Sequence, residues 1–171
     1  MKNLFSSSSI LVTGVFLLTF SLQSHESNSQ SSLKYVTPLG DGSTESTTTI
    51  INKKAVKSFN RNYPTSASVK WFDSGDLLEA YFVENGKQNR VYYRPKGTWF
   101  RTLTSYNESL LNSDIKSLVS ENFNNYEITN VTEVHEGIMT CYFINIEAAK
   151  DFKQVIVYEG EIWVHKQFRK Q

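Results

Sequence analysis

Apolar residues fall at steps of four from Ile51 through Ala55 and Phe59 to Tyr63, with Val56 beside them, while Lys53, Lys54, Lys57 and Arg61 take the other side. That spacing predicts an amphipathic helix over Ile50 to Pro64, and Pro64 ends it because a proline disfavours helix at the residue before it. The period then switches to two. Ser68 to Asp73 alternates, and Asp73-Ser74-Gly75-Asp76 is a turn by composition. Leu78, Ala80 and Phe82 alternate with Glu79, Tyr81 and Val83, and Asn85-Gly86 is a strong hairpin signal. Val91 and Tyr93 alternate with Arg90, Tyr92 and Arg94, after which Pro95-Lys96-Gly97 turns the chain into Thr98 to Thr104. The stretch from Leu77 to Thr104 is thus an antiparallel meander.

A second passage follows the polar segment Tyr106 to Asn112. Ser113 is expected to cap a helix running to about Asn122, with Ile115, Leu118, Val119 and Phe123 on one face. Strands are expected at Ile128 to Val134, Ile138 to Ile146, Phe152 to Tyr158 and Ile162 to Phe168. Tyr63 and Tyr126 each close a helix, and Gly97 and Gly160 each sit in a last turn; both pairs are 63 residues apart. The expected fold is therefore α+β, two tandem repeats over residues 50–106 and 112–168, each a helix followed by a four-stranded antiparallel sheet.

The apolar sets Leu78, Ala80, Phe82, Val91 and Tyr93, and Met139, Cys141 and Phe143, are expected to face the helices, with Val164 in the same core. That leaves Tyr81, Tyr92, Phe100, Tyr142 and Trp163 on the opposite face with Arg90, Arg94 and His165. A contiguous aromatic group on a rigid sheet marks a contact surface. A one-residue error in strand parity would exchange the two sets.

The N-terminal stretch changes the picture of where the protein works. Met1 to Ser24 has the layout of a secretory signal peptide: Lys2, a serine run, then the apolar run Ile10 to Phe20. The run falls short of the roughly 20 apolar residues a mature spanning helix needs. An uncleaved N-terminal anchor is the other reading. No cysteine follows the run, which excludes lipidation of the bacterial lipoprotein type. Residues 25–49, rich in Ser, Thr, Gln and Asn, read as a disordered linker, leaving 50–171 as the folded domain.

Charge selects no partner class. Lys and Arg total 18 against 17 acids, and they are scattered, so no basic stripe of the kind nucleic acid demands is present. The single cysteine, Cys141, allows neither an internal disulfide nor a thiolate metal cage. Ser113-Asp114-Ile115-Lys116 fits S-x-x-K but lacks the accompanying motifs, and a helix start accounts for the serine. His135 and His165 stand at no metal-ligand spacing with a carboxylate, so neither cofactor nor metal is expected.

Val56 to Phe59, Tyr63-Pro64, Val69-Lys70-Trp71, Glu79-Ala80-Tyr81-Phe82, Val91-Tyr92-Tyr93 and Gly97 resemble the PepSY-like family of β-lactamase-inhibitor-like secreted bacterial proteins. The resemblance covers roughly Ile50 to Phe168. It implies a β-lactamase inhibitory protein-like fold whose combined sheet grips an enzyme on its concave face, an envelope or extracellular location, and no catalysis. Two positions depart from the family pattern: Arg94 stands where an acidic residue is usual, and Leu111-Asn112 where Leu-Pro often opens the second helix. The functional expectation is a secreted, periplasmic or extracellular, non-enzymatic module that binds another protein on its open sheet face. In its narrowest form it inhibits an envelope or extracellular enzyme, and it meets the membrane only through its signal peptide. The alternative is small-ligand binding or transport in a pocket between curved sheet and helices, lined by His135 or His165 and a carboxylate.

Overall fold

The computed structural model describes residues 34–36 and 51–170, all within one unit of the chain, Ser31–Gln171. The secretory signal expected at 1–24 lies outside the described residues, as does the linker at 25–49 apart from Lys34–Val36. Those three residues form a short strand, β1.

The first helix, α1, spans Lys53–Asn62 and buries Ala55 and Phe59, while its lysines point to solvent. Asn52 caps it, its side-chain oxygen accepting from the Lys54 amide at 2.9 Å. Four strands follow: β2, Lys70–Asp73; β3, Leu78–Glu84; β4, Lys87–Tyr93; and β5, Trp99–Tyr106. Asn85 and Gly86 take φ of 51° and 75°, the left-handed pair that a two-residue hairpin requires. A short 3-10 turn at Glu108–Leu110 leads into the second helix, α2, Ser113–Asn122. Its cap is Asn112 rather than the expected Ser113: the Asn112 side chain accepts from the Asp114 amide at 2.8 Å. Lys116 reaches back to Glu108 at 2.6 Å, not to Ser113. The last four strands are β6, Glu127–Glu136; β7, Met139–Glu147; β8, Asp151–Tyr158; and β9, Glu161–Arg169.

The expected pair of helix-plus-four-strand repeats, each with its own sheet, is overturned by the strand pairing. All nine strands form one antiparallel sheet in simple sequence order, β1 to β9. The join is between β5 and β6, where Arg101 to Tyr106 pair with Glu136 to Val131. Two separate small sheets would each leave an internal edge of unpaired backbone groups, and pairing β5 with β6 removes both. Hydrophobic periodicity reports the order of elements but not which strands pair, so this join was not visible in the pattern.

Both helices cover one side of the sheet. On that side α1 packs with Trp71, Leu78, Ala80, Phe82, Val91 and Tyr93, while Leu111 and Val119 pack with Tyr106, Val131, Ile144, Ile146, Val155 and Val157. Phe59 is the hub of the first group, with ring centroids 5.1 Å from Tyr63, 5.5 Å from Trp71 and 5.4 Å from Phe82. Gly97, buried in the β4–β5 turn, lets that turn lie against the start of α1. A Cβ there would sit 2.7 Å from the Lys54 Cβ and 2.9 Å from the Ala55 amide nitrogen. The Asn52 side-chain amide donates to the Pro95 carbonyl at 2.8 Å and ties the same two segments.

Candidate functional site

The face of the sheet turned away from the helices carries most of the residues expected there. In β3 and β4, Glu79 pairs with Tyr92 and Tyr81 with Arg90, while Leu78, Ala80, Val91 and Tyr93 lie on the helix side. Strand alternation alone would then place Phe100 and Arg101 of β5 on opposite sides. A β-bulge prevents this: Tyr92 pairs with Arg101 and Tyr93 with Trp99, leaving Phe100 as the extra residue. Phe100 and Arg101 thereby share the open face.

The result is a strip of alternating rings and guanidiniums. Arg90 lies 5.2 Å from the Tyr81 ring and pairs with the Glu79 carboxylate at 2.6 Å. Arg101 lies over both Tyr92 at 5.5 Å and Phe100 at 5.0 Å, and Arg94 covers Phe100 at 4.5 Å. Each exposed stacking of this kind contributes about 0.5–1 kcal/mol, which offsets part of the roughly 1.5–2 kcal/mol of rotamer entropy of an arginine and favours the stacked orientation. Arg94 makes no ion pair among the described residues. Burial, then the Glu79 charge, pushes the Tyr92 phenol above its ordinary value, with Arg90 opposing; the ring stays neutral at physiological pH. Beside the strip, Lys70, Phe72, Glu79, Tyr81 and Arg90 line a half-open depression of about 220 Å³.

Further along the same face, His165 stands edge-on to Phe143 with centroids 6.1 Å apart, and Trp163 lies opposite Ile156. His165 is also a bulge residue, between Val164 opposite Val155 and Lys166 opposite Gln154. Trp163 is 44% exposed. Tyr92 on β4 and Trp163 on β9 are five strand spacings apart across the sheet and, Trp163 being level with Gln88, about four residues apart along it, roughly 27 Å in all. Between them the face is mixed: Leu103 is partly covered and Val134 and Phe143 are buried, beside the Ser105 and Thr132 hydroxyls, which bond each other at 3.1 Å.

One expected member falls on the other side. Tyr142 pairs with Val157 and packs against the helix-side group, so it is not part of the open face. Met139, Cys141 and Phe143, expected toward the helices, are on the open face instead, in register with Glu136, Val134 and Thr132. The physical reason is that β7 is apolar on both faces from Cys141 to Ile144, so alternation gives no parity there, and the neighbouring strands decide it. Burial pushes the Cys141 thiol up, with Glu136 adding to the shift, which disfavours the thiolate. Arg101 and Lys70 were missed. The signal for Arg101 lay in Trp99-Phe100-Arg101, two bulky rings in succession directly after a turn, a pattern that suits a bulge.

His135 and His165 do not converge. His135 pairs with Thr102 and Thr140, bonds the Thr140 hydroxyl through Nδ1 at 2.9 Å, and lies 5.6 Å from Trp99, on the side away from His165. Among the described residues no group of three or more His, Cys, Asp or Glu is placed to hold a metal ion, and no helix is long and apolar enough to cross a membrane.

No family model matches the chain, and no curated protein matches it. Solved structures do. A DUF2874 family protein from Bacteroides ovatus superposes with a TM-score of 0.58 at 20% identity, over 75% of this chain and 89% of that one. A BLIP-like protein from Bacteroides fragilis gives 0.57 at 18% identity, over 68% of this chain and 84% of that one. A protein provisionally described as periplasmic from Bacteroides eggerthii gives 0.56 at 21% identity, over 68% and 87%. At these identities the likeness is one of fold: the chain has a BLIP-like fold.

Proposed function

We propose that this chain is a secreted, non-enzymatic binding module that captures another protein on the sheet face turned away from its helices. The observation that carries this reading is the strip of Tyr81, Arg90, Tyr92, Arg101, Phe100 and Arg94, held in place by mutual stacking on a nine-stranded sheet. Rings and arginines are the side chains that dominate binding energy at protein interfaces, and a preordered surface loses little entropy on association. Trp163 and His165 form a second anchor. The separation of roughly 27 Å fits within one standard interface of about 800 Å² per partner. The mechanism is steric occlusion by a rigid surface, and an envelope or extracellular enzyme is the partner class, in keeping with the PepSY-like resemblance and the BLIP-like fold.

The ligand-pocket alternative has less support, because His135 and His165 lie on opposite faces of the sheet and cannot line one pocket together. Crosslinking of the protein in its native bacterial extract tests the proposal. Tyr92→Ala is expected to reduce capture of a specific protein by about tenfold or more, and Trp163→Ala by less. Unchanged capture with both variants, or no captured protein, overturns it.

A further inference from the structure

β9 is an end strand: among the described residues nothing pairs beyond it. The other end of the sheet is the three-residue β1, too short to be a template. β9 presents nine residues, and Trp163, Val164 and Phe168 are 44%, 43% and 57% exposed. Val164, expected in the core, is thus an edge residue. A long, exposed, apolar edge strand is a site for pairing with another strand.

We infer that β9 joins two copies of this chain, antiparallel and two-fold, into one continuous sheet. Such a pairing sets each face of the sheet against the same face of the second copy. Ile162, Val164, Gln167 and Arg169 lie opposite Val157, Val155, Lys153 and Asp151, on the helix side; Trp163, Lys166 and Phe168 lie opposite Ile156, Gln154 and Phe152, on the open side. His165 joins the open side through Phe143. The bulge therefore shifts the alternation by one residue halfway along the strand.

That shift selects a register. With the two-fold axis between His165 and Lys166, every facing pair is on one side: Trp163 meets Phe168, Val164 meets Gln167, Ile162 meets Arg169, and Glu161 meets Lys170, each twice. Every neighbouring register opposes an open-side residue to a helix-side one, and the register centred on Lys166 also sets that lysine against its own copy. In the selected register no like charges are directly opposite, and opposite charges close both ends. Lys166 and Arg169, which discourage pairing with arbitrary strands, are accommodated opposite His165 and Ile162. Lys170 is held by Glu147 at 2.5 Å in the single chain and exposed, so it can exchange partners.

Sedimentation equilibrium of the full chain over a wide concentration range is expected to show a monomer–dimer equilibrium ending at twice the 19.6 kDa monomer mass. Glu161→Lys places lysines opposite one another twice and weakens the dimer by about tenfold; adding Lys170→Glu restores it. The register is read by disulfide trapping in a Cys141→Ser background. Trp163→Cys with Phe168→Cys gives a covalent dimer under mild oxidation, whereas Trp163→Cys with Gln167→Cys does not. Circular dichroism of each variant confirms a folded chain. A monomer at every concentration, equal trapping by both cysteine pairs, or association of β9 only with a segment of a different protein overturns the inference.

Discussion

The packing group under α1 and the packing group under α2 are built from the same sequence signals and put them to different uses. The first is aromatic: Phe59, Tyr63, Trp71 and Phe82 are linked by ring contacts, and Trp71 continues the chain of rings to Tyr93 at 5.9 Å. The second is aliphatic at its centre, with Val119, Val131, Ile144, Ile146, Val155 and Val157. Tyr63 and Tyr126 both follow a helix, yet Tyr63 shares a hydrogen bond of 3.3 Å with the Thr102 hydroxyl, whereas Tyr126 donates to the Asp151 carboxylate at 2.6 Å. Asp151 also receives Lys153 at 3.1 Å and Gln167 at 2.8 Å, so a polar network ties β9 to the end of α2. Gly97 and Gly160 both have positive φ, but only Gly97 is pressed against a helix; a Cβ at Gly160 would meet nothing within 4 Å. A residue type at a given spacing marks where an element ends. What that residue contributes depends on what packs there.

The widest separation is expected at the glycines. Gly97→Ala should destabilise the fold by about 3 kcal/mol, the sum of a positive-φ penalty and a backbone clash with the start of α1. Gly160→Ala should cost about 1 kcal/mol, from φ alone. Denaturant midpoints measure both, and equal losses would mean that the turn is not held against α1.

The tyrosine comparison comes next. Asp151→Ala removes the acceptor of three donors and leaves Lys153 partly buried without its carboxylate, an expected loss of about 2 kcal/mol. Tyr63→Phe removes one neutral hydrogen bond and should change stability by less than about 1 kcal/mol. Thermal or chemical unfolding of the two variants checks the ordering.

The smallest effect appears only in alkali. Burial raises the Tyr93 phenol to about 12, with Tyr63 adding to the shift and Ser58 opposing it. Burial also raises Tyr106 strongly, with Glu133 adding to it. Both rings are essentially neutral in either state below about pH 9. Above it the unfolded chain releases protons that the folded chain keeps, so stability falls as pH rises from 10 toward 12. Tyr93→Phe should flatten that fall while changing stability at pH 7 by no more than about 1 kcal/mol. Unfolding midpoints at pH 8 and pH 11 test the sign; an unchanged slope would show that Tyr93 does not hold its proton.

Much of the candidate site was legible in the sequence. Tyr81, Arg90 and Tyr92 fall on the open face because β3 and β4 are apolar on one side and polar on the other, the condition under which period-two alternation assigns a face. Phe100 and His165 were placed correctly, although each is a bulge residue whose face the register decides. Tyr142 was misplaced because β7 is apolar on both sides from Cys141 to Ile144, and Arg101 was lost to the bulge beside it.

Local sequence determined the helices, the strands and their turns in order, because propensity, period and turn chemistry act between residues a few positions apart. Only the tertiary structure decided that the strands form one sheet, which side of β7 faces the helices, and that Arg101 completes the strip. Those outcomes depend on backbone pairing between segments distant in sequence, and a single inserted residue in a ladder exchanges the faces beyond it.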